Sequence, residues 1–390
     1  MAKTKEKIPG DEIDFAALIK AGEDIFELLE SVDYWIDTGS LALNFICSGK
    51  MIGGGFPGGR VTEILGGSSV GKTLIGANAL AGVQRIGGVP VLLDAENTFN
   101  PDFARQASKL DPDRMFSISS DTLEGCFNKI YAAVRFIRNG VPLEIPICIL
   151  YDSIAASPSD REFAETVVDM DRSTQAAIEA VGAGKDKPGE RAKTCSKHFR
   201  NLPKFMRDNN TALVVINQLR TKIGVMFGNP DTGGGGGRAL EYYASTRLTL
   251  KATKKTKDKF EVVNGVNMDI NCVKNKCSRP FRQARALHLL FEKGIDPFGG
   301  LLDILIQTER VEGKSGNYKV LEPFAEGKEV KFRASKERNT VPSKTLLECP
   351  KLVDAENKEQ VQSYIDLYRD TIKAIREEVV GEEDIKSGDE

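Results

Sequence analysis

Four short apolar runs recur along residues 61–218 of this 390-residue chain: VTEIL, PVLLDAE, IPICILYDS and ALVVINQ. Each has the length of a buried strand, and each adjoins a stretch whose apolar residues follow helical spacing. Strands that are apolar on both faces and alternate with helices predict an α/β fold, a mostly parallel central sheet with helices on both sides. The pattern changes at Thr246. There TRLTLKATKKTKDKFEVVNGVNMDINCVKNK predicts antiparallel strands, with the lysine-rich turn near residues 254–259 at a hairpin tip. Ahead of the core, Ile13, Leu18, Ile25, Phe26 and Leu29 keep the spacing of one helix face, so residues 1–50 read as a small helical arm suited to self-association. The core then spans 51–294, a small α+β C-terminal domain 295–380, and the acidic end 381–390 has the composition of a disordered tail.

Composition narrows the function. Hydrophobic residues make up 41% of the chain, enough for a sizeable core, and 54 basic against 56 acidic residues leave a net charge of -2. No global charge marks a partner, so any nucleic-acid signal must be local. The N-terminus lacks an apolar signal core and no segment approaches the ~18 apolar residues of a membrane helix, which predicts a cytoplasmic protein without a membrane partner. Seven scattered cysteines without a Cys-x-x-Cys pair read as reduced, packed thiols. With His198 and His288 alone, histidine-based triad or metal chemistry has little to work with.

The candidate chemistry is phosphoryl transfer. GGSSVGKT fits G-x-x-x-x-G-K-[ST] between a predicted strand and a helix, so Gly66, Gly67, Ser68, Ser69, Val70, Gly71, Lys72, Thr73 and the following Leu74 would surround the phosphates of ATP. In that loop Lys72 reaches the β- and γ-phosphates and the Thr73 hydroxyl ligates Mg²⁺. Asp152 ends the strand ICILYD on the edge where a parallel sheet binds ligands; it suits the Mg²⁺ shell, or caps the following turn. Asp94 and Glu96 end another strand, and Glu96 suits a base that activates water. Residues 216–245, INQLRTKIGVMFGNPDTGGGGGRALEYYAS, pose a different question, because an apolar, glycine-rich loop needs something to cover it. Either it closes on a ligand, or it packs into a subunit interface.

Taken together, FPGGRVTEILGGSSVGKT, LLDAENTFNPDFA, YDSIAASP, INQLRTKIGVMFGNP, RALEYYASTRL and VKNKCSRPF resemble the RecA family of homologous-recombination ATPases, the bacterial type above all, over about residues 56–282. The resemblance implies a RecA-type P-loop core that binds ATP and Mg²⁺, assembles head to tail into helical filaments on single-stranded DNA, and exchanges strands with homologous double-stranded DNA. It implies Phe103 against adenine, Gln218 as the γ-phosphate sensor, and a second DNA loop over 219–236 that becomes ordered on the strand. There Arg220 and Lys222 would neutralise phosphates, Ile223, Met226 and Phe227 would meet bases, and Gly235 and Gly236 would let the backbone close. A first DNA loop would fall near 181–193 and end at Lys193, although the same glycines and lysines also suit a simple solvated linker. Lys274 and Lys276 match lysines that reach the neighbouring subunit's nucleotide; Tyr242 and Arg247 fall at the subunit interface, beside Glu241 where the family has a basic residue. Two other readings fit a RecA-type core: a hexameric helicase, and an ATP-gated DNA-binding clamp.

Overall fold

Strict alternation inside the apolar runs decides which side chains lie on which face of the sheet. The computed structural model describes residues 31–164, 189–221, 231–233, 238–257, 260–334 and 339–375. In chain order they form β1 (Trp35–Ile36), α1 (Leu41–Ser48), β2 (Phe56–Pro57), β3 (Val61–Gly66), α2 (Lys72–Arg85), β4 (Val89–Asp94), α3 (Pro101–Ser108), β5 (Phe116–Ile118), α4 (Leu123–Arg138), β6 (Ile147–Asp152), α5 (Glu190–Asp208) and β7 (Thr211–Thr221). There follow β8 (Asp231–Gly233), α6 (Ala239–Tyr243), β9 (Thr246–Lys257), β10 (Val263–Asn275), β11 (Gln283–Leu290), β12 (Gly294–Ile295), α7 (Leu301–Gln307), β13 (Val311–Lys314), β14 (Asn317–Val320), β15 (Lys331–Arg333), α8 (Ser343–Glu348) and α9 (Lys358–Leu367). The predicted arm helix lies, but for Ser31, outside the described residues, as does the acidic tail.

The main sheet runs β12-β11-β10-β9-β3-β7-β6-β4-β5. From β5 to β9 every neighbouring pair is parallel, and from β9 to β12 every pair is antiparallel. Both halves of the predicted architecture are therefore present, and the four apolar runs are β3, β4, β6 and β7. Leu92, Leu150, Val214 and Ile216 bury one face against α2, while Val91, Leu93, Ile149, Tyr151, Leu213 and Val215 bury the other against Phe127 of α4 and Phe199 of α5. Burying an aliphatic side chain contributes roughly 1.5–3 kcal/mol, which makes these two layers the main support of the site above them.

The lysine-rich turn differs from expectation. Lys254, Lys255 and Lys257 are still strand, each exposed, and the hairpin turns after Lys257. Long ladder pairing with β10 extends the strand past the point where composition suggests a turn. Beyond β12, α7, the antiparallel sheet β13-β14-β15 and helices α8 and α9 contribute Leu301, Tyr318, Leu346 and Val361 to the cluster on the α2 face. All seven cysteines are free, and all but the half-buried Cys277 are buried.

Candidate functional site

Parallel register brings the chemistry to one edge. Asp94 at the end of β4 pairs in register with Asp152 at the end of β6, and Gly66 at the end of β3 pairs with Gln218 on β7. From Gly66 the chain turns through 67–71 into α2, whose N-cap is Gly71 at φ +86. A side chain there would be strained and would bring its Cβ to 2.5 Å from Leu289 Cδ1, so only glycine fits. The first amides of α2 are left without helical acceptors and form an anion site. Val70 and Leu74 are buried, so these two offer backbone amides to a phosphate, not side chains.

Lys72 is buried, and its Nζ donates to Gly67 O at 2.5 Å. Burial lowers its pKa, against the pull of Asp152 and Glu96, which raise it. The lysine is thus a desolvated cation already surrounded by the loop that would hold phosphate. Thr73 Oγ1 donates to Asp152 Oδ2 at 2.7 Å. Burial pushes the Asp152 carboxyl up to about 6, helped by Glu96 and Asp94 and opposed by the Thr73 hydrogen bond and Lys72. Among the described residues no three His, Cys, Asp or Glu side chains gather as a metal cage. One hydroxyl and one carboxylate, both hard oxygen donors, are the protein share that Mg²⁺ takes when phosphates and water fill its other positions, so the residues fit the ion.

The turn after β4 carries Glu96. Asp94 shapes that turn by accepting from the amides of Glu96 at 3.2 Å and Phe99 at 2.9 Å, which explains an acid that the sequence reading left without a role. Glu96 Oε1 accepts from Ser153 Oγ at 2.5 Å and from Gln218 Nε2 at 3.1 Å. Two donors on one oxygen hold the carboxylate in place. Ser153 escaped the sequence reading, although it directly follows the metal-site candidate Asp152 in YDS. Phe103 lies on α3, 37% exposed, and its amide donates to the capping side chain of Asn100.

A second polar group crosses the sheet behind Gln218. The buried Glu63 of β3 accepts from Asn217 Nδ2 of β7 at 2.8 Å and from Arg247 Nε of β9 at 2.5 Å. Arg247 also lies 3.9 Å from Glu241, so the acid that stands at a usually basic position here faces an arginine. Arg247 is therefore engaged within its own chain, whereas Tyr242 is 61% exposed. Lys274 Nζ donates to the carbonyls of Glu241 and Tyr242 at 2.6 and 2.8 Å, and Lys276 is exposed.

Of the second-loop candidates, Lys222, Ile223, Met226, Phe227, Gly235 and Gly236 lie outside the described residues, and Arg220 is described by its backbone alone. The strand β7 continues three residues past Gln218, and Leu219, Arg220 and Thr221 pair antiparallel with β8. A ladder thus replaces the start of the expected loop. At the first loop, residues 190–193 form the opening turn of α5 and 181–188 lie outside the described residues. Lys193 is exposed, and with Lys197, Arg200 and Lys204 it makes a row of exposed cations at helical spacing, a signal present in the sequence that the reading missed.

Comparison with known proteins agrees with this geometry. The model of the RecA N-terminal domain matches residues 16–296, more than half of the chain. Curated relatives include the Protein RecA of a Nocardioides species, 34% identical over 80% of this chain and 80% of its own length. The Protein RecA of Salinispora arenicola is 36% identical over 75% and 76%, and that of Staphylococcus aureus 34% over 77% and 76%.

Proposed function

Because the chain belongs to the RecA family, we infer that it is an ATP-dependent recombinase, which forms filaments on single-stranded DNA and catalyses homologous pairing and strand exchange. It is a DNA-dependent ATPase that binds nucleotide at the P-loop. The observation that carries the reading is the 3.1 Å hydrogen bond from Gln218 Nε2 to Glu96 Oε1, because it joins the candidate base to the strand that leads into residues 219–236.

In this reading Lys72 and the amides of 67–74 bind the phosphates, and Thr73 with Asp152 holds Mg²⁺. The ion supplies charge neutralisation on the phosphoryl oxygens when bound. Glu96 accepts the proton of the attacking water, once Ser153 and Gln218 have released its Oε1. Gln218 turns toward the γ-phosphate and thereby reports the nucleotide to the second loop, where Arg220, Lys222, Ile223, Met226, Phe227, Gly235 and Gly236 meet single-stranded DNA. Lys193 contributes at the first loop. Phe103 lies against adenine. Lys274 and Lys276 leave their own subunit and reach the neighbour's nucleotide across an interface that includes Tyr242 and Arg247. Of residues 1–50, those before Tyr34 act as an assembly arm, while 34–50 pack with the ATPase core at 51–294; 295–380 act as a C-terminal domain ahead of an acidic tail at 381–390. The protein works in the cytoplasm, and among its described residues no helix is long and apolar enough to cross a membrane.

Electron micrographs of the protein with single-stranded DNA and a slowly hydrolysed ATP analogue test the reading. Open helical filaments are expected; closed rings would point instead to a helicase.

A further inference from the structure

The turn that follows β6 holds Ser153, and Ser153 holds Glu96. This turn is itself gripped from α5. Arg191 Nη2 donates to the carbonyls of two consecutive residues, Ile154 at 3.0 Å and Ala155 at 3.2 Å. The next residues of the turn are tied to the same end of α5. Glu124 of α4 accepts from Thr194 Oγ1 at 2.8 Å and from the Asp160 amide at 2.9 Å, while Glu162, 3.9 Å from Arg191, accepts from the Ser159 amide at 2.7 Å. The bracket therefore has two ends. One is Ser153, fully buried against Glu96; the other is the first turn of α5, which carries the exposed Lys193 two residues after Arg191.

We propose that Arg191 is a positioning residue for ATP hydrolysis: it sets the turn after β6 so that Ser153 keeps Glu96 parked, and it ties that setting to the start of α5. The proposal rests on the recombinase reading, in which residues up to Lys193 meet DNA. The coupling works because hydrogen bonds of 3.0 and 3.2 Å fail with a shift of about 1 Å in the guanidinium. When DNA draws the first turn of α5 away, Ile154 and Ala155 lose their donor, the turn relaxes, and Ser153 no longer fixes the Glu96 oxygen. This route is separate from the one through Gln218, which reaches the same oxygen from β7. Glu96 thus receives one restraint from each DNA-facing segment.

The test measures ATP turnover with and without single-stranded DNA for the wild type, Arg191→Met, Ser153→Ala and the double variant. Methionine keeps the length and apolar stem of arginine and removes the donors. DNA-independent turnover of Arg191→Met is expected to rise about tenfold, the scale of one charge-assisted hydrogen bond. Its KM for ATP stays unchanged, and its stimulation by DNA falls by the same factor. Ser153→Ala is expected to do the same, and the double variant to add nothing further, because both act on one restraint. A stimulation ratio in Arg191→Met equal to that of a DNA-stimulated wild type overturns the inference alone. So does a proportional fall of both rates with a raised KM, which is what a merely structural arginine would give. A wild type whose turnover ignores DNA overturns the recombinase reading and the inference with it.

Discussion

Two buried carboxylates in neighbouring parts of one sheet have opposite surroundings, and the difference assigns their roles. Glu63 has both oxygens occupied, one by an amide and one by a guanidinium. It needs nothing more. Asp152 has the Thr73 hydroxyl as its partner, and burial raises its carboxyl to about 6. The nearby Lys72 opposes that rise only in part. The sign of the pH dependence follows: a carboxyl raised in the folded state stabilises the fold at low pH, where it is protonated, and that contribution is lost as pH rises through about 6. Relative to an ordinary aspartate the effect is on the order of 3 kcal/mol. Asp152→Asn keeps an acceptor for Thr73 without the charge. In the absence of nucleotide and Mg²⁺, its thermal midpoint is expected to exceed that of the wild type at pH 7.5, with the gap closing toward pH 4. Calorimetry across that range checks this, and a less stable Asn variant at pH 7.5 would mean that the ionised carboxylate is satisfied by the protein alone.

Among the elements, β7 has a double duty. Its first half is core, with Leu213 and Val215 on one face and Val214 and Ile216 on the other, and past Gln218, which pairs with Gly66 of β3, its end forms the ladder with β8. A change at Gln218 therefore has a stiff strand on each side through which to act. Gln218→Ala is expected to bind ATP normally while losing most of the ATP-induced gain in affinity for single-stranded DNA, since in the proposed function that gain is a coupling free energy passed through this side chain. Affinities measured with and without an ATP analogue decide it; a ratio equal to that of the wild type removes Gln218 from the route. The strands themselves were legible because apolar runs of strand length are local, and the P-loop because its glycines, lysine and threonine are contiguous. The Glu63 group was not legible. Its partners Asn217 and Arg247 lie 154 and 184 residues away, and a glutamate within VTEIL carries no mark of which strands will flank it. Ser153 was missed for a related reason, as its acceptor comes from the end of a different strand. Nor could composition end β9 correctly, because pairing with β10 outweighs the turn tendency of its lysines.

At the scale of the whole molecule, the described core carries its P-loop and its proposed interface groups on one sheet, with Lys274 opposite Arg247 and Arg247 opposite Glu63 of β3. Lys274 rests on carbonyls at the end of α6 and Lys276 is exposed. Cations supplied by a neighbour would make hydrolysis depend on assembly, and a head-to-tail contact that does not close generates a helix, not a ring. In the proposed function this assembly exchanges homologous strands under the control of ATP. The most direct measurement incubates circular single-stranded DNA with linear duplex and follows joint molecules and nicked circles on a gel. With ATP and Mg²⁺ and a homologous duplex, both products are expected; with ADP, or with a duplex of unrelated sequence, neither. Unwinding of the duplex without regard to homology, or ATP hydrolysis on DNA that never yields joint molecules, would mean that the protein is not a recombinase.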